Sequence, residues 1–175
     1  MGSKLENILI LGIGGVGMHL ARRLVHEGAS VTVIETDPKL VQEAAETMDA
    51  RVLKGNSMSL SSWRAAEAES MELMIAATND DATNMLSALI ADRFGIERKI
   101  VRVRSLDFEP GSVLPPEELK IDLMVHPEEL LAQEIYRLVK RAACNDLIDI
   151  GNGWMQVLAL RVDDQSPLVL SLIHI

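Results

Sequence analysis

The stretch Asn7-Ile8-Leu9-Ile10-Leu11-Gly12-Ile13-Gly14-Gly15-Val16-Gly17 decides the fold. Its apolar run stops at a glycine, which is the pattern of a strand buried on both faces in a parallel sheet. The next six residues match G-x-G-x-x-G. A helical periodicity then runs from about Val16 to His26, with Leu20, Ala21, Leu24 and Val25 on one side. Each glycine has its own task. Gly12 turns the chain out of the strand, Gly14 lets backbone approach a pyrophosphate, and Gly17 lets the helix pack close to the sheet. The helix start then offers N–H groups and a positive dipole end to phosphates. Gly12, Gly14 and Gly17, with Ile13, Gly15 and Val16 between them, are candidate nucleotide-binding residues. The competing reading is a glycine-rich turn that only packs.

Outward from this stretch the alternation continues. Gly28 stops the first helix, and Ser30 to Glu35 is a second buried strand. Asp37 caps a helix with Pro38 in its first turn. Ala50 to Lys54, Leu73 to Ala77, Lys99 to Arg104 and Ile121 to Val125 are four further strands. Helices are predicted over Ser61 to Ala68, from Asn79-Asp80-Asp81 to Phe94, and from Pro127 to about Arg141, while residues 106–120, rich in proline, form a loop. Six strands alternating with helices predict an α/β fold, a Rossmann-like doubly wound parallel sheet. The rhythm breaks after Arg141. Leu147 to Ile150, the turn Gly151-Asn152-Gly153, and Trp154 to Val162 predict a β-hairpin. A boundary near 142–146 makes residues 1–143 the nucleotide-binding domain and 144–175 the start of a second domain.

In such a sheet, ligands bind outside the carboxyl ends of the strands. Glu35 ends the second strand, about 20 residues after the glycines, where a carboxylate accepts both hydroxyls of an adenosine ribose and repels a 2′-phosphate. With Thr36 beside it, this favours NAD or NADH over NADPH and leaves ATP open. Asn56 and Ser57 follow the third strand, near an adenine edge. Ala77, Thr78 and Asn79 follow the fourth, and their small size leaves room for a ligand. Arg102 and Arg104 share one face of the fifth strand and need partners, either acids across a subunit contact or a phosphate for one of them.

Composition narrows the function further. Lys and Arg number 17 against 26 acidic residues, a net charge of −9, which argues against binding nucleic acid or anionic membrane through the overall field. The single cysteine excludes an internal disulfide framework and a multi-cysteine metal site. The four histidines show no metal-ligand spacing, and no Cys/His pairing or G-x-S-x-G suggests a nucleophile. No catalytic residue and no metal site is therefore expected.

These segments together resemble the nucleotide-binding domain of the TrkA-type regulators of bacterial potassium uptake, also called the KTN or RCK domain. The resemblance covers about residues 6–143. It rests on Ile8 to Gly17, Val31 to Pro38, Ala50 to Asn56, Ile75 to Asp81 with Asn84-Met85, Ile100 to Arg104, and Pro127 to Leu130. It implies a non-catalytic cytoplasmic regulatory subunit, held at the inner face of the plasma membrane through its partner. It implies binding of NAD, NADH, ATP or ADP, assembly as a dimer or tetramer, and gating of a TrkH-like membrane potassium-translocating subunit. By position it assigns Gly12, Gly14, Gly17 and Glu35 to the nucleotide, and Asn56 and Thr78 to the base or its ribose. ATP-preferring relatives carry an arginine inside the glycine motif, where this chain has Gly15-Val16. Asp146 to Pro167 looks like the start of the family's C-terminal ligand-binding domain. The last six residues, Leu170 to Ile175, resemble a translated sequencing adapter, so a truncated gene fragment is expected. Two other classes compete: the cofactor half of an NAD-dependent dehydrogenase, with His126 nearest to the role of a proton-transfer group, and a fold binding S-adenosylmethionine.

Overall fold

The computed structural model describes residues 7–108, 110–141, 146–150 and 155–159. The elements in chain order are β1 (Asn7–Leu11), α1 (Gly15–His26), β2 (Ser30–Glu35), α2 (Pro38–Thr47), β3 (Arg51–Lys54), α3 (Leu60–Ala65), β4 (Leu73–Ala76), α4 (Asp81–Arg93), β5 (Arg98–Arg102), β6 (Leu123–Val125), α5 (Pro127–Arg141), β7 (Asp146–Ile150) and β8 (Met155–Ala159). The chain divides into two compact units, Met1–Pro127 and Glu128–Ile175. In the second unit, β7 pairs antiparallel with β8, Ile148 opposite Val157, which is the expected hairpin. The predicted turn at Gly151 to Gly153, Trp154, and the chain end lie outside the described residues.

The first unit is a six-stranded parallel sheet in the order β3-β2-β1-β4-β5-β6. The doubly wound sheet read from the sequence is the one observed, with its order reversing between β1 and β4. Alternation along β1 builds the two halves of the core. Ile8 and Ile10 join Met18, Val31 and Val33 in one apolar cluster, whereas Leu9 and Leu11 join Ile34, Trp63, Met74 and Val101 in another. Residues Ile8 to Leu11 are at most 1% exposed, as the unbroken apolar run requires.

Element ends differ from the sequence reading for local reasons. The predicted helix over Ser61 to Ala68 stops at Ala65, because Glu67 adopts a left-handed φ of 55° and a 3-10 turn follows over Ala68–Ser70. Strand β5 ends at Arg102 rather than Arg104, since the N–H groups of Arg104 and Ser105 donate to the Asp81 carboxylate instead of continuing the ladder. Arg104 therefore lies beyond the strand. At the opposite end of β5, Lys99 is buried, and its Nζ donates to the carbonyls of Ile96 and Glu97 at 3.3 and 3.2 Å. The Asp122 carboxylate accepts the Lys99 N–H at 2.7 Å and pairs with Nζ at 3.5 Å, which joins the approach to β6 onto β5.

Helix α1 packs closely on the end of β1. A Cβ at position 17 would fall on the Gly12 carbonyl oxygen. Gly17→Ala is therefore expected to cost about 1–3 kcal/mol of stability through overpacking. Thermal unfolding should show this as a Tm lower by several degrees than that of the unsubstituted chain.

Candidate functional site

A cavity of about 310 Å³ opens at the carboxyl ends of the strands. The turn after β1 contributes Gly12 and Gly14 to its lining. The end of β2 contributes Ile34, Glu35, Thr36 and Asp37, and α2 adds Leu40. Gly55 and Ser57 come from the turn after β3, and Ala77, Thr78 and Asn79 from the turn after β4. The volume is within the range of small-ligand sites, and the place is the switch point where such sheets bind ligands.

The glycine turn is shaped by its neighbours. Gly12 has φ +82°, and a Cβ there would lie 2.9 Å from the Thr78 Cα. Only glycine fits that conformation against the β4 turn. A Cβ at Gly14 or Gly15, by contrast, would meet nothing within 4 Å. Space is thus left open at the first turn of α1. That turn has no side-chain cap and no acidic residue. Its N–H groups, unpaired within the helix as at any helix start, remain available to an anion. Helices α2 and α4 differ. The Asp37 carboxylate accepts the Lys39 N–H at 2.8 Å, and the Asp80 carboxylate accepts the Thr83 N–H at 2.7 Å. The cap expected at Asp37 is thus present.

Glu35 is 9% exposed, and backbone donors fix its carboxylate. Oε1 accepts from the N–H groups of Thr36 at 2.6 Å and Asp37 at 2.8 Å, and from the Thr36 hydroxyl at 3.1 Å. Oε2 accepts from the Ile13 N–H at 2.8 Å. The carboxylate therefore ties the end of β2 to the glycine turn. A carboxylate offers about four lone-pair positions, two on each oxygen. Oε2 holds one bond among the described residues, so it has room for a hydroxyl donor.

The other wall is held by α4. Asn84 is fully buried; its Oδ1 accepts from the Thr78 N–H at 3.0 Å and the Thr78 hydroxyl at 2.6 Å. Its Nδ2 donates to the carbonyls of Thr78 and Arg102, each at 3.0 Å. The Arg102 guanidinium reaches the Thr78 carbonyl at 3.3 Å and the Asn79 Oδ1 at 3.4 Å. Arg104 donates to the Asn79 carbonyl at 2.6 Å and pairs with Asp81 at 3.4 Å. An acidic partner for Arg104 is thus present within the same chain.

Of the residues read from the sequence, Gly12, Gly14, Glu35, Thr36, Ser57, Ala77, Thr78 and Asn79 line one cavity. Ile13 joins through its N–H, and Gly15, Val16 and Gly17 form the adjoining first turn of α1. Arg102 stands behind Thr78 and Asn79. Asn56 is exposed and lies outside the lining; its Oδ1 accepts the Met58 N–H at 2.8 Å and closes its own turn. Asn84 and Asp81 were missed as wall-builders. A polar residue inside the apolar periodicity of α4 was the available signal for Asn84. Among the described residues, no group of three or more His, Cys, Asp or Glu could hold a metal ion.

The family comparison matches this arrangement along most of the first unit: the TrkA-N domain model covers residues 8–127. The chain belongs to the TrkA-N domain family. This TrkA-N chain is 31% identical over 155 residues to the Trk system potassium uptake protein TrkA homolog of Methanothermobacter thermautotrophicus, covering 89% of this chain and 70% of that one. It is 30% identical over 164 residues to the Trk system potassium uptake protein TrkA of Halomonas elongata, covering 93% of this chain but 36% of that one. The TrkA-N domain of the inner membrane protein ybaL from Escherichia coli has the same fold, with a TM-score of 0.66 at 21% identity over 79% of this chain and 99% of that one. The GsuK channel bound to NAD aligns with a TM-score of 0.64 at 20% identity, over 86% of this chain and 26% of that one. GsuK bound to ADP aligns with the same score at 22% identity, over 78% and 34%.

The far wall carries a pH dependence. Burial works to raise the Asp81 carboxyl, but hydrogen bonds from the N–H groups of Ser105 and Arg104 and from the Arg104 guanidinium outweigh it and hold the group below its ordinary value. A lowered folded-state value stabilises the fold above the unfolded pKa near 4, and that stabilisation is lost as pH falls through the folded value. Asp81→Asn should therefore lower Tm at pH 7. The gap from the unsubstituted chain should close as melts are taken at pH values below about 4. An unchanging gap across the acid range would contradict this account of the carboxylate.

Proposed function

We propose that the chain is the nucleotide-sensing part of a potassium-uptake regulator. Its cavity takes NAD or NADH, with ADP or ATP as alternative occupants. The observation that carries this reading is the Glu35 carboxylate, fixed on the glycine turn with Oε2 able to accept a ribose hydroxyl. The pyrophosphate would lie over Gly14 and Gly15, where no Cβ is in the way, at the start of α1. The base would lie between Leu40 and the Gly55–Ser57 turn. Thr78, Asn79 and Arg102 would face the second half of a dinucleotide.

The names of the relatives support potassium uptake as the process, and the NAD and ADP in the GsuK titles support the ligand class. In this reading residues 1–143 sense the nucleotide and 144–175 open a second domain. The chain self-associates as a dimer or tetramer and acts in the cytoplasm, on a TrkH-like membrane subunit. Nucleotide exchange shifts the population between two shapes of that assembly, through a difference in affinity for them. The cavity lining supports a regulator over a dehydrogenase. It holds no His, Lys or Cys to move a proton, and the oxygens of its two carboxylates, Glu35 and Asp37, accept backbone N–H groups.

Calorimetric titration with NADH, NAD, ADP, ATP and NADPH tests the reading. NADH should bind at least about tenfold tighter than NADPH, whose 2′-phosphate meets the Glu35 charge. Glu35→Gln should narrow that gap. Gly14→Ala, which meets open space, should leave Tm nearly unchanged while abolishing nucleotide binding. A cooperative melt that no adenine nucleotide shifts would overturn the site.

A further inference from the structure

We propose that Trp63 positions the base-side wall of the nucleotide cavity. It does so from the core, as a positioning residue that does not itself touch the nucleotide. The inference rests on the adenine-nucleotide reading of the cavity given above. Trp63 lies on α3 and is 0% exposed. Its indole Nε1–H donates to the Ser57 carbonyl at 2.6 Å. Ser57 is in the cavity lining and is itself 7% exposed. The turn from Gly55 to Ser57 is thus tied through its backbone to a ring in the hydrophobic core.

The ring is fixed on its other side. Trp63 stacks on Phe94 at the end of α4, with centroids 5.6 Å apart and planes 11° from parallel. It shares an apolar cluster with Ile34, which also lines the cavity. The same turn has no slack elsewhere. A Cβ on Gly55 would lie 2.7 Å from the Ser62 Oγ, and that hydroxyl accepts the Asn56 N–H at 3.2 Å. Ser62 and Trp63 are adjacent on α3, so one short helix holds the turn at two points. The Ser57 carbonyl has a single orientation that meets the indole. That orientation sets how Ser57 stands in the cavity lining.

An indole serves here where a phenyl ring would not. Either ring can stack on Phe94, though the smaller phenyl leaves some space unfilled, and only the indole supplies an N–H to a buried carbonyl. Trp63→Phe keeps the stack and leaves the Ser57 carbonyl unpaired. A freed turn gives up the fixed wall, and the ligand must order it on binding.

The test uses ADP, which leaves tryptophan emission readable. Affinity is measured by calorimetry well below the Tm of each variant. Trp63→Phe should bind ADP about three- to ten-fold more weakly, the range expected for one lost hydrogen bond. A merely structural tryptophan would lower Tm and leave ADP affinity unchanged, which would overturn the proposal. The second measurement needs no change at position 63. In Trp154→Phe, Trp63 is the only tryptophan, since the chain has two. Its emission should change little on addition of ADP, because the Ser57 turn is already held against the ring. If ADP binds that variant and the emission shifts strongly, the turn is not pre-set and the positioning role fails while the cavity assignment stands. If ADP, NAD and NADH all fail to bind the unsubstituted chain, the cavity assignment fails and takes this inference with it.

Discussion

The approach of Gly17 to the Gly12 carbonyl is the constraint on which the rest of the unit depends. With no side chain at position 17, α1 seats directly on the end of β1. That seating aims the first turn of the helix at the space above the sheet. It also brings the Ile13 N–H to the Glu35 carboxylate. The contact closes the end of β2 over the turn. Were α1 held farther off by even one methyl, the turn and the carboxylate would part, and neither would present a defined surface. The void at Gly14 and Gly15 is the complement of the crowding at Gly12 and Gly17. Two glycines are needed because backbone lies against them, and two because nothing does.

The site proposed for phosphate has no cations in its lining. The chain carries a net charge of −9, and the lining residues include two carboxylates and no Lys or Arg. Favourable potential for a phosphate must come from oriented backbone N–H groups at the start of α1. The nearby arginines have other work. Arg102 and Arg104 hold the carbonyls of Thr78 and Asn79. Placing donors on backbone rather than on long side chains means that little is ordered when a ligand arrives.

The course of the fold was legible because periodicity and glycine placement report local geometry directly. The Ile8 to Leu11 run and the Asp37-Pro38 cap are found as read, and the glycine motif is found as the turn from β1 into α1. Strand ends were less legible, because they are set by partners distant in sequence. Nothing near Arg104 says that Asp81 will take its N–H. The Asn56 side chain shows the same limit: the residue type fits a ligand role and a turn-closing role equally, and here it closes the turn. Trp63 was unreadable for another reason. Its hydrogen bond to Ser57 spans only six residues, yet nothing in a tryptophan on a short helix says which carbonyl its indole N–H will meet.

Asn84 carries a consequence for how this chain can vary. Its amide uses both its acceptor and its donor side inside a site that water does not reach, and three of its four bonds go to one residue, Thr78. An aspartate would turn an oxygen toward two carbonyls that now receive a hydrogen. A leucine would take the amide's bonds from the Thr78 N–H and the Arg102 carbonyl and leave the Thr78 carbonyl to the Arg102 guanidinium. A glutamine would carry the same groups one methylene too far. None of these three replacements keeps all four bonds, so the turn after β4 and the end of β5 hang together on one amide.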